Sequence, residues 1–397
     1  MGPSDYTRRV SFNERIYLAA ERRAPGFCIQ LVLEFDAEMP PGLEDRLTAA
    51  VAQAVAQNPG ARLILRGVLG WTRWVAAGPV PPVRLVPPWP PGAPAPPEVE
   101  RPLSPTLGPT CELVLTGGSA PRLVFRCFHG VMDASGLLHF ATEVFRALRS
   151  ESMQGAPCRL NDTEFVTALA GRRRRPMLKD AWPALLPRVA AAPPIAGRAV
   201  NWRRARISRS VPALVAKLSA ALARHAGQNA LIMVPVDLRH YGREPPSTAN
   251  RTCPLFLDIS PEQGWRAVHK VLLRRLMERE PLRLDPAEGV APWLPLVWLT
   301  ALYGLWVAGH RRKGRFPFSA LVTHLALPSL DVLSGDGLRP SAVFLLPPQS
   351  DFIPLCVSAV TSPTCTDLII SGPEDLLGPA QLAALSEALR DAVAPPT

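Results

Sequence analysis

The sequence predicts a mixed α/β (α+β) protein of two lobes, on three observations. The 397 residues exceed the usual size of a single hydrophobic core. Apolar patterns typical of strands and of helices occur in both halves of the chain. A stretch rich in arginine, proline and alanine separates the halves. We therefore predict a first lobe over residues 1–170, a crossover linker over 171–198 and a second lobe over 199–397.

Each predicted element depends on the period of its apolar residues and on the breakers that end it. The elements of the first half are a strand at 27–35, a helix at 42–57, strand material at 62–75, a proline-rich loop at 79–105, a hairpin of strands at 111–116 and 122–128, and a helix at 137–149. Those of the second half are helices at 212–225, 261–279 and 378–393, and strands at 230–239, 254–259, 318–324, 342–346, 355–360 and 367–371.

The segment from Gly289 to Gly309 carries no charged residue, and His310 and three basic residues follow it directly. This pattern is similar to that of a membrane span with a basic flank. Two prolines and the interior position of the segment favour a buried helix instead. Contact with a membrane or lipid surface is the main alternative.

Composition limits the classes of partner and the compartment. Only four of the 44 basic residues are lysines, and the formal charge of +11 indicates either a solvated arginine surface or an anionic partner. No zinc spacing or RNA-binding signature accompanies the charge, so we expect no nucleic acid. The four arginines Arg172–Arg175 are interpreted as an exposed linker. Seven scattered cysteines and the lack of a signal peptide favour a cytoplasmic protein, with peripheral membrane contact as the alternative.

The sharpest motif is CFHGVMDASG, in which His129 and Asp133 form an H-x-x-x-D unit directly after an apolar strand. The near-neutral pKa of histidine suits it to accept a proton from a hydroxyl or amine, and the carboxylate can organise the loop. A histidine packed in the core is the plain alternative. A metal site that adds His139 is a further one, although Gly130 and the change from strand to loop disfavour it. The chain lacks the G-x-S-x-G, P-loop and Rossmann patterns.

The motif and the helix after it resemble the HHxxxDG region of condensation domains and their stand-alone acyltransferase relatives, in the chloramphenicol acetyltransferase-like superfamily. Three further segments are similar in the same order. They are QNPGAR at a helix end, VPVDLR with Asn250 after it, and LVTHLA in the place of an SNLG-like segment. Departures from the pattern are Phe128 for the first histidine, Ala134 for the glycine, and Thr323, His324 and Ala326 for S, N and G.

The resemblance implies two chloramphenicol acetyltransferase-like lobes, each a mixed sheet with flanking helices, around an active-site tunnel. It implies that His129 is the general base and that Asp133 is structural and paired with Arg239. Thr323 is then a candidate oxyanion donor, and Gly136 and Asn250 are further candidates for the oxyanion site or tunnel. For Arg239 and the neighbouring Asp237, ordinary solvation at a strand end is the alternative.

The implied reaction moves an acyl group from a thioester, acyl-coenzyme A or an acyl or peptidyl carrier protein, to an alcohol or amine. Coenzyme A or phosphopantetheine enters only as part of the donor, and neither a metal nor another cofactor is expected. The departures at Ala134, His324 and Ala326 motivate an alternative, a catalytically inactive protein that binds a carrier or acts as a scaffold.

Overall fold

The computed structural model describes most of the chain. The described residues are 5–90, 92–93, 95–118, 120–176, 181–186, 200–348, 350 and 352–394. Much of the predicted crossover linker, residues 177–180 and 187–198, lies outside them. The predicted lobe boundaries at its two ends therefore stay a prediction.

Strands and helices alternate along the chain. The strands are β1 (Thr7–Arg9), β2 (Cys28–Phe35), β3 (Ile64–Arg66), β4 (Arg73–Val75), β5 (Val83–Val86), β6 (Cys111–Thr116), β7 (Arg122–Phe128), β8 (Trp182–Pro183), β9 (Val200–Ile207), β10 (Ala230–Asp237), β11 (Thr252–Ile259), β12 (Arg315–Phe316), β13 (Ala320–Ala326), β14 (Pro340–Leu346), β15 (Cys356–Thr361) and β16 (Thr366–Pro373). The helices are α1 (Phe12–Arg23), α2 (Leu43–Gln57), α3 (Pro97–Glu100), α4 (Ala134–Leu148), α5 (Asp162–Ala170), α6 (Leu214–Ala226), α7 (Trp265–Met277), α8 (Leu296–Lys313) and α9 (Pro379–Val393).

Two mixed sheets form the framework. The first has the strand order β14-β2-β7-β6-β5, in which only the β5 and β6 pair is parallel. The second has the order β11-β10-β13-β15-β16-β9, with parallel pairing of β13 to both of its neighbours. Helices α2 and α4 pack together beside the first sheet, and α6 packs with α7 and α9 beside the second. The predicted mixed α+β class is confirmed.

Position along the chain does not assign every segment to a lobe. Strand β14 comes late in the sequence, yet it pairs with β2 of the first sheet from Leu346 opposite Gln30 to Pro340 opposite Phe35. Its pairing covers an edge of β2 that would otherwise present open hydrogen-bonding groups. Helix α8 likewise packs on α1 and adds Leu299 and Tyr303 to the core of the first lobe.

The expectation of a buried helix at 289–309 is wrong. Helix α8 buries one stripe of its side chains against α1. The stripe includes Leu299, Tyr303 and Val307. Its opposite face is also apolar but is open to solvent, with Trp298 66% and Leu305 73% exposed. The sequence is apolar all round, and only the docking of the helix decides which side is covered. None of the described helices has the length and apolar character needed to cross a membrane.

Two smaller expectations also change. The strand material at 62–75 forms two short antiparallel strands, β3 and β4, because a tight turn at Leu69–Trp71 interrupts it. Of the arginines interpreted as an exposed linker, Arg175 is half-buried and paired with Asp285, and its backbone N–H donates to the Leu284 carbonyl at 2.9 Å. The other three are exposed.

Candidate active site

His129 directly follows the last residue of β7, a strand whose side chains are all buried. Its backbone is held from both lobes. The His129 N–H donates to the Phe27 carbonyl at 2.9 Å, and the His129 carbonyl accepts from Asn250 Nδ2 at 2.7 Å. The loop from His129 to Asp133, called the histidine loop below, therefore begins at a fixed point where the two lobes meet.

The ring of His129 is oriented by its own loop. Its Nδ1 lies 2.9 Å from the Met132 carbonyl oxygen, which can only accept a hydrogen bond. The proton of the neutral ring therefore belongs on Nδ1, and Nε2 keeps a lone pair. Burial lowers the pKa of His129 below its ordinary value, although the Met132 carbonyl and the Asp133 carboxylate oppose this. At neutral pH the ring is uncharged, as a general base requires.

Tyr17 of α1 stacks on the His129 ring, with centroids 4.9 Å apart and planes 8° from parallel. Sequence reasoning assigned no helix here and missed this residue. A local signal was present, since Ser11 and Glu14 have the S-x-x-E spacing of a capping box. In the structure Ser11 Oγ accepts from the Glu14 N–H at 3.3 Å, and Glu14 accepts from the Ser11 N–H at 3.0 Å.

Asp133 caps α4 and joins the lobes. Its Oδ1 accepts from the Gly136 N–H at 2.8 Å, and its Oδ2 accepts from the Arg251 N–H at 2.7 Å. The guanidinium of Arg239 donates to both oxygens at 3.0 Å in a bidentate pair. The pair predicted from the sequence is thus present. With its oxygens occupied in this way, the carboxylate is suited to hold the loop rather than to move protons.

Arg239 is held between two carboxylates. Burial by itself would lower its pKa, but Asp133 and Asp237 outweigh burial and raise the pKa above its ordinary value. Burial would also raise the pKa of Asp237, and Arg239 reverses that effect so that the pKa is lowered. The alternative of plain solvation at a strand end therefore does not describe these side chains. Their charges are compensated within the interface between the lobes.

Gly136 and Asn250 do not have the places that we expected. Among the described residues, the cavity wall includes Thr323 of β13 but neither of these two. The Gly136 N–H is used by Asp133, and a Cβ at Gly136 would lie 2.1 Å from the Thr248 carbonyl oxygen. Glycine is needed there because the loop before β11 approaches α4 too closely for a side chain. Asn250 acts on the backbone of His129 instead.

A cavity of about 900 Å³ lies between the lobes and contains His129. Side chains of α1 and α8, of the histidine loop and of strands β10, β11 and β13 form much of its wall. Most of them are apolar, and the predicted site residues among them are His129, Asp133 and Thr323. A largely apolar cavity with few polar groups is typical of a small-molecule site. Representative lining residues are Tyr17, Met233, Cys253, Phe256, Leu299 and Leu321.

The metal alternative finds no support in the geometry. His139 Nε2 lies 3.1 Å from both Asn58 Oδ1 and the Gly155 carbonyl, and these acceptors place a proton on that nitrogen. Asp133 is committed to Arg239 and to backbone N–H groups. In the described part of the chain, no group of three or more His, Cys, Asp or Glu side chains is arranged to hold a metal ion.

No family profile and no curated protein matches the sequence. Solved structures do match the fold. The starter condensation domain of rhizomide synthetase RzmA, as a variant bound to C8-CoA, has a TM-score of 0.67 at 15% identity over 97% of this chain and 94% of that chain. The same domain with C8-CoA and Leu-SNAC has a TM-score of 0.65 at 15% identity over 97% and 93%.

The condensation domain of a second protein agrees with those of RzmA. The condensation domain of the monacolin K polyketide synthase MokA has a TM-score of 0.61 at 12% identity over 98% of this chain and 96% of that chain. The fold is thus that of condensation domains. The resemblance seen in the sequence, and the two-lobed architecture that it implied, are confirmed at the level of fold.

Proposed function

We propose that the protein is an acyltransferase that moves an acyl group from a thioester to an alcohol or amine, with His129 as the general base. The observation that carries this proposal is the state of the His129 ring. Its Nδ1 donates to the Met132 carbonyl, and Nε2 is left as the acceptor within a cavity shared by both lobes. The fold supports it further, since the RzmA structure contains C8-CoA in the condensation-domain framework.

In the proposed reaction, His129 Nε2 takes the proton of the acceptor hydroxyl or amine as the heteroatom attacks the thioester carbonyl carbon. The carbonyl π electrons move to oxygen, and a tetrahedral oxyanion forms. Collapse restores the carbonyl and breaks the carbon–sulfur bond. The imidazolium then returns its proton to the departing thiolate, so the products are an ester or amide and a free thiol. Thr323, which lines the same cavity, is the candidate hydroxyl donor to the oxyanion.

The donor is acyl-coenzyme A or an acyl group on a carrier protein, and the acceptor is an alcohol or an amine. The related RzmA structure contains C8-CoA and Leu-SNAC. The apolar wall of the cavity in this chain supports an apolar acyl chain as one of the groups bound. Coenzyme A or phosphopantetheine would take part only as the leaving thiol.

The test is His129→Ala, assayed by intact mass spectrometry of alcohol and amine acceptors incubated with acyl-coenzyme A and acyl-carrier donors. We expect the transfer rate to fall ~10²- to 10⁴-fold, the usual loss for a positioned base. His324→Ala is a matched control. This neighbour of Thr323 forms a hydrogen bond with Thr361 and does not line the cavity. A folded His129→Ala protein that transfers at the wild-type rate would refute the proposal.

The pH dependence provides an independent readout. Because burial lowers the pKa of His129 from its ordinary 6.5, kcat/KM should stay level near neutral pH. It should fall only on acidification, with a midpoint below the ordinary value. A midpoint above 6.5 would indicate that another group is the base.

A further inference from the structure

The face of α8 that points away from α1 continues into a larger exposed apolar surface. The short turn at Leu69–Trp71 lies against the segment before α8, since a Cβ at Gly70 would be 2.9 Å from the Trp293 ring. We call this surface the apolar face. Its members are exposed apolar side chains, namely Trp71, Val290, Trp293, Val297, Trp298, Leu302, Leu305 and Trp306.

Positive charge lies at one end of the apolar face. Residues seven apart on a helix are nearly aligned, so Trp298, Leu305 and Arg312 follow one another along the same side of α8. Eleven residues also give near alignment, which places Lys313 in line with Leu302. Both cations are exposed. The stretch from Gly289 to Lys313 contains no acidic residue.

The cavity that holds His129 borders this face. Val290, Leu302 and Trp306 line the cavity and are also 67%, 52% and 40% exposed, respectively. The same side chains therefore belong to the inner wall and to the outer surface. An apolar group that lies against the apolar face can reach the cavity without crossing a polar rim at these three residues.

We propose that the apolar face docks on an anionic lipid surface and that an apolar-chain substrate passes from the lipid into the cavity. Four exposed tryptophans suit the boundary between head groups and acyl chains, where an amphipathic ring is most stable. Arg312 and Lys313 would lie at the level of the anionic head groups. That the lipid's apolar group is a substrate rests on the proposed acyltransferase function, whereas the docking itself does not.

The test is flotation of the full chain with phosphatidylcholine vesicles that contain or lack phosphatidylserine. Wild-type protein should float with the anionic vesicles, and Trp298→Ser with Leu305→Ser should reduce the bound fraction about 10-fold, because interfacial binding scales with buried apolar area. Neither residue lines the cavity. The matched control is Leu85→Ser with Met277→Ser, which removes two equally exposed apolar side chains from β5 and α7 and should bind as wild type does.

A charge variant separates the two parts of the docking interaction. Arg312→Ser with Lys313→Ser should weaken binding to the anionic vesicles and make the remaining binding insensitive to salt. Wild-type protein that does not float, or an apolar-face variant that floats as well as wild type, would overturn the docking. Sedimentation that finds a dimer abolished by the same variant would assign the face to a second copy of the chain and would also overturn it.

Transfer assays distinguish this proposal from the general one. The apolar-face variant should transfer to a soluble short-chain acceptor within about twofold of wild type, since it leaves the cavity wall unchanged. With a long-chain alcohol embedded in anionic vesicles, it should lose most of the rate that wild type shows. Equal rates on the embedded acceptor would refute the route from lipid. Absence of any transfer, with flotation intact, would refute the acyltransferase function and leave the docking standing.

Discussion

Two sets of contacts hold the histidine loop, one from each lobe, and they differ in how their carboxylates are neutralised. From the first lobe, Arg8 donates to the Val131 carbonyl at 3.1 Å and pairs with Glu14, and both side chains are fully buried. From the second lobe, Arg239 holds Asp133 in a bidentate pair and Asn250 holds the His129 carbonyl.

The ion pair with Arg8 does not fully offset the cost of burying the Glu14 carboxylate. Burial raises the pKa of Glu14 to about 7 even though Arg8 and the Ser11 N–H oppose the rise. Asp133 receives two hydrogen bonds from one guanidinium and two from backbone N–H groups. The contact within the first lobe thus depends on a carboxyl group that titrates near neutral pH. The contact that joins the lobes depends on a bidentate ion pair.

The largest effect should follow from Asp133→Asn. This change breaks the contact between the lobes and removes one of the two carboxylates that pair with Arg239. Removing one partner of a buried pair costs ~3 to 5 kcal/mol, and we expect a loss of this size in urea unfolding together with reduced activity. The exposed pair of Asp391 with Arg390 offers a control, since Asp391→Asn should change stability by less than ~1 kcal/mol. Loss of rate without loss of stability would assign Asp133 a direct chemical role.

Glu14→Gln should have a smaller effect, and one that depends on pH. Because the folded pKa is raised above the ordinary 4.5, the folded protein binds more protons than the unfolded chain between that pH and about 7. This group therefore stabilises the fold most at acid pH, and its contribution falls as pH rises to about 7. The stability of wild type relative to Glu14→Gln should decrease by ~1 to 3 kcal/mol from pH 5 to pH 8. A constant difference would show that Glu14 stays ionised throughout.

Asn250→Ala should have the smallest effect on stability, about 1 kcal/mol, the usual net value of one hydrogen bond. Transfer should fall in kcat with little change in KM, because the carbonyl of His129 is no longer held by the second lobe. Asn201→Ala is a matched control, since Asn201 Nδ2 also donates to a backbone carbonyl, that of Leu377, at 2.9 Å. It should cost similar stability without slowing transfer. Equal rates in the two variants would remove Asn250 from the positioning of His129.

Elements with strong local patterns were predicted closely. The hairpin strands at 111–116 and 122–128 coincide with β6 and β7, and the helix at 42–57 begins one residue later in the structure. Helix α1, which carries Tyr17, was missed because arginine and glutamate residues interrupt its apolar side chains and lower its hydropathy, although its capping box is clear. The segment at 289–309 was recognised as apolar but its exposure was misjudged, since hydropathy does not say which side of a helix another element covers.

The sequence by itself determined the mixed class and the place of His129 at a strand end. Through the resemblance, it also determined that Asp133 pairs with Arg239. The first two features depend on residue types and periods that are read within a few turns or strands of chain. The pair joins residues 106 apart and was expected from the resemblance alone. Only the tertiary structure decided the tautomer of His129, the stack with Tyr17, the cavity and its place beside the apolar face. Such features join side chains far apart in sequence, such as Arg8 and Val131, which are 123 residues apart. Their geometry is set by how sheets and helices dock, and that depends on packing across the whole molecule rather than on any local period.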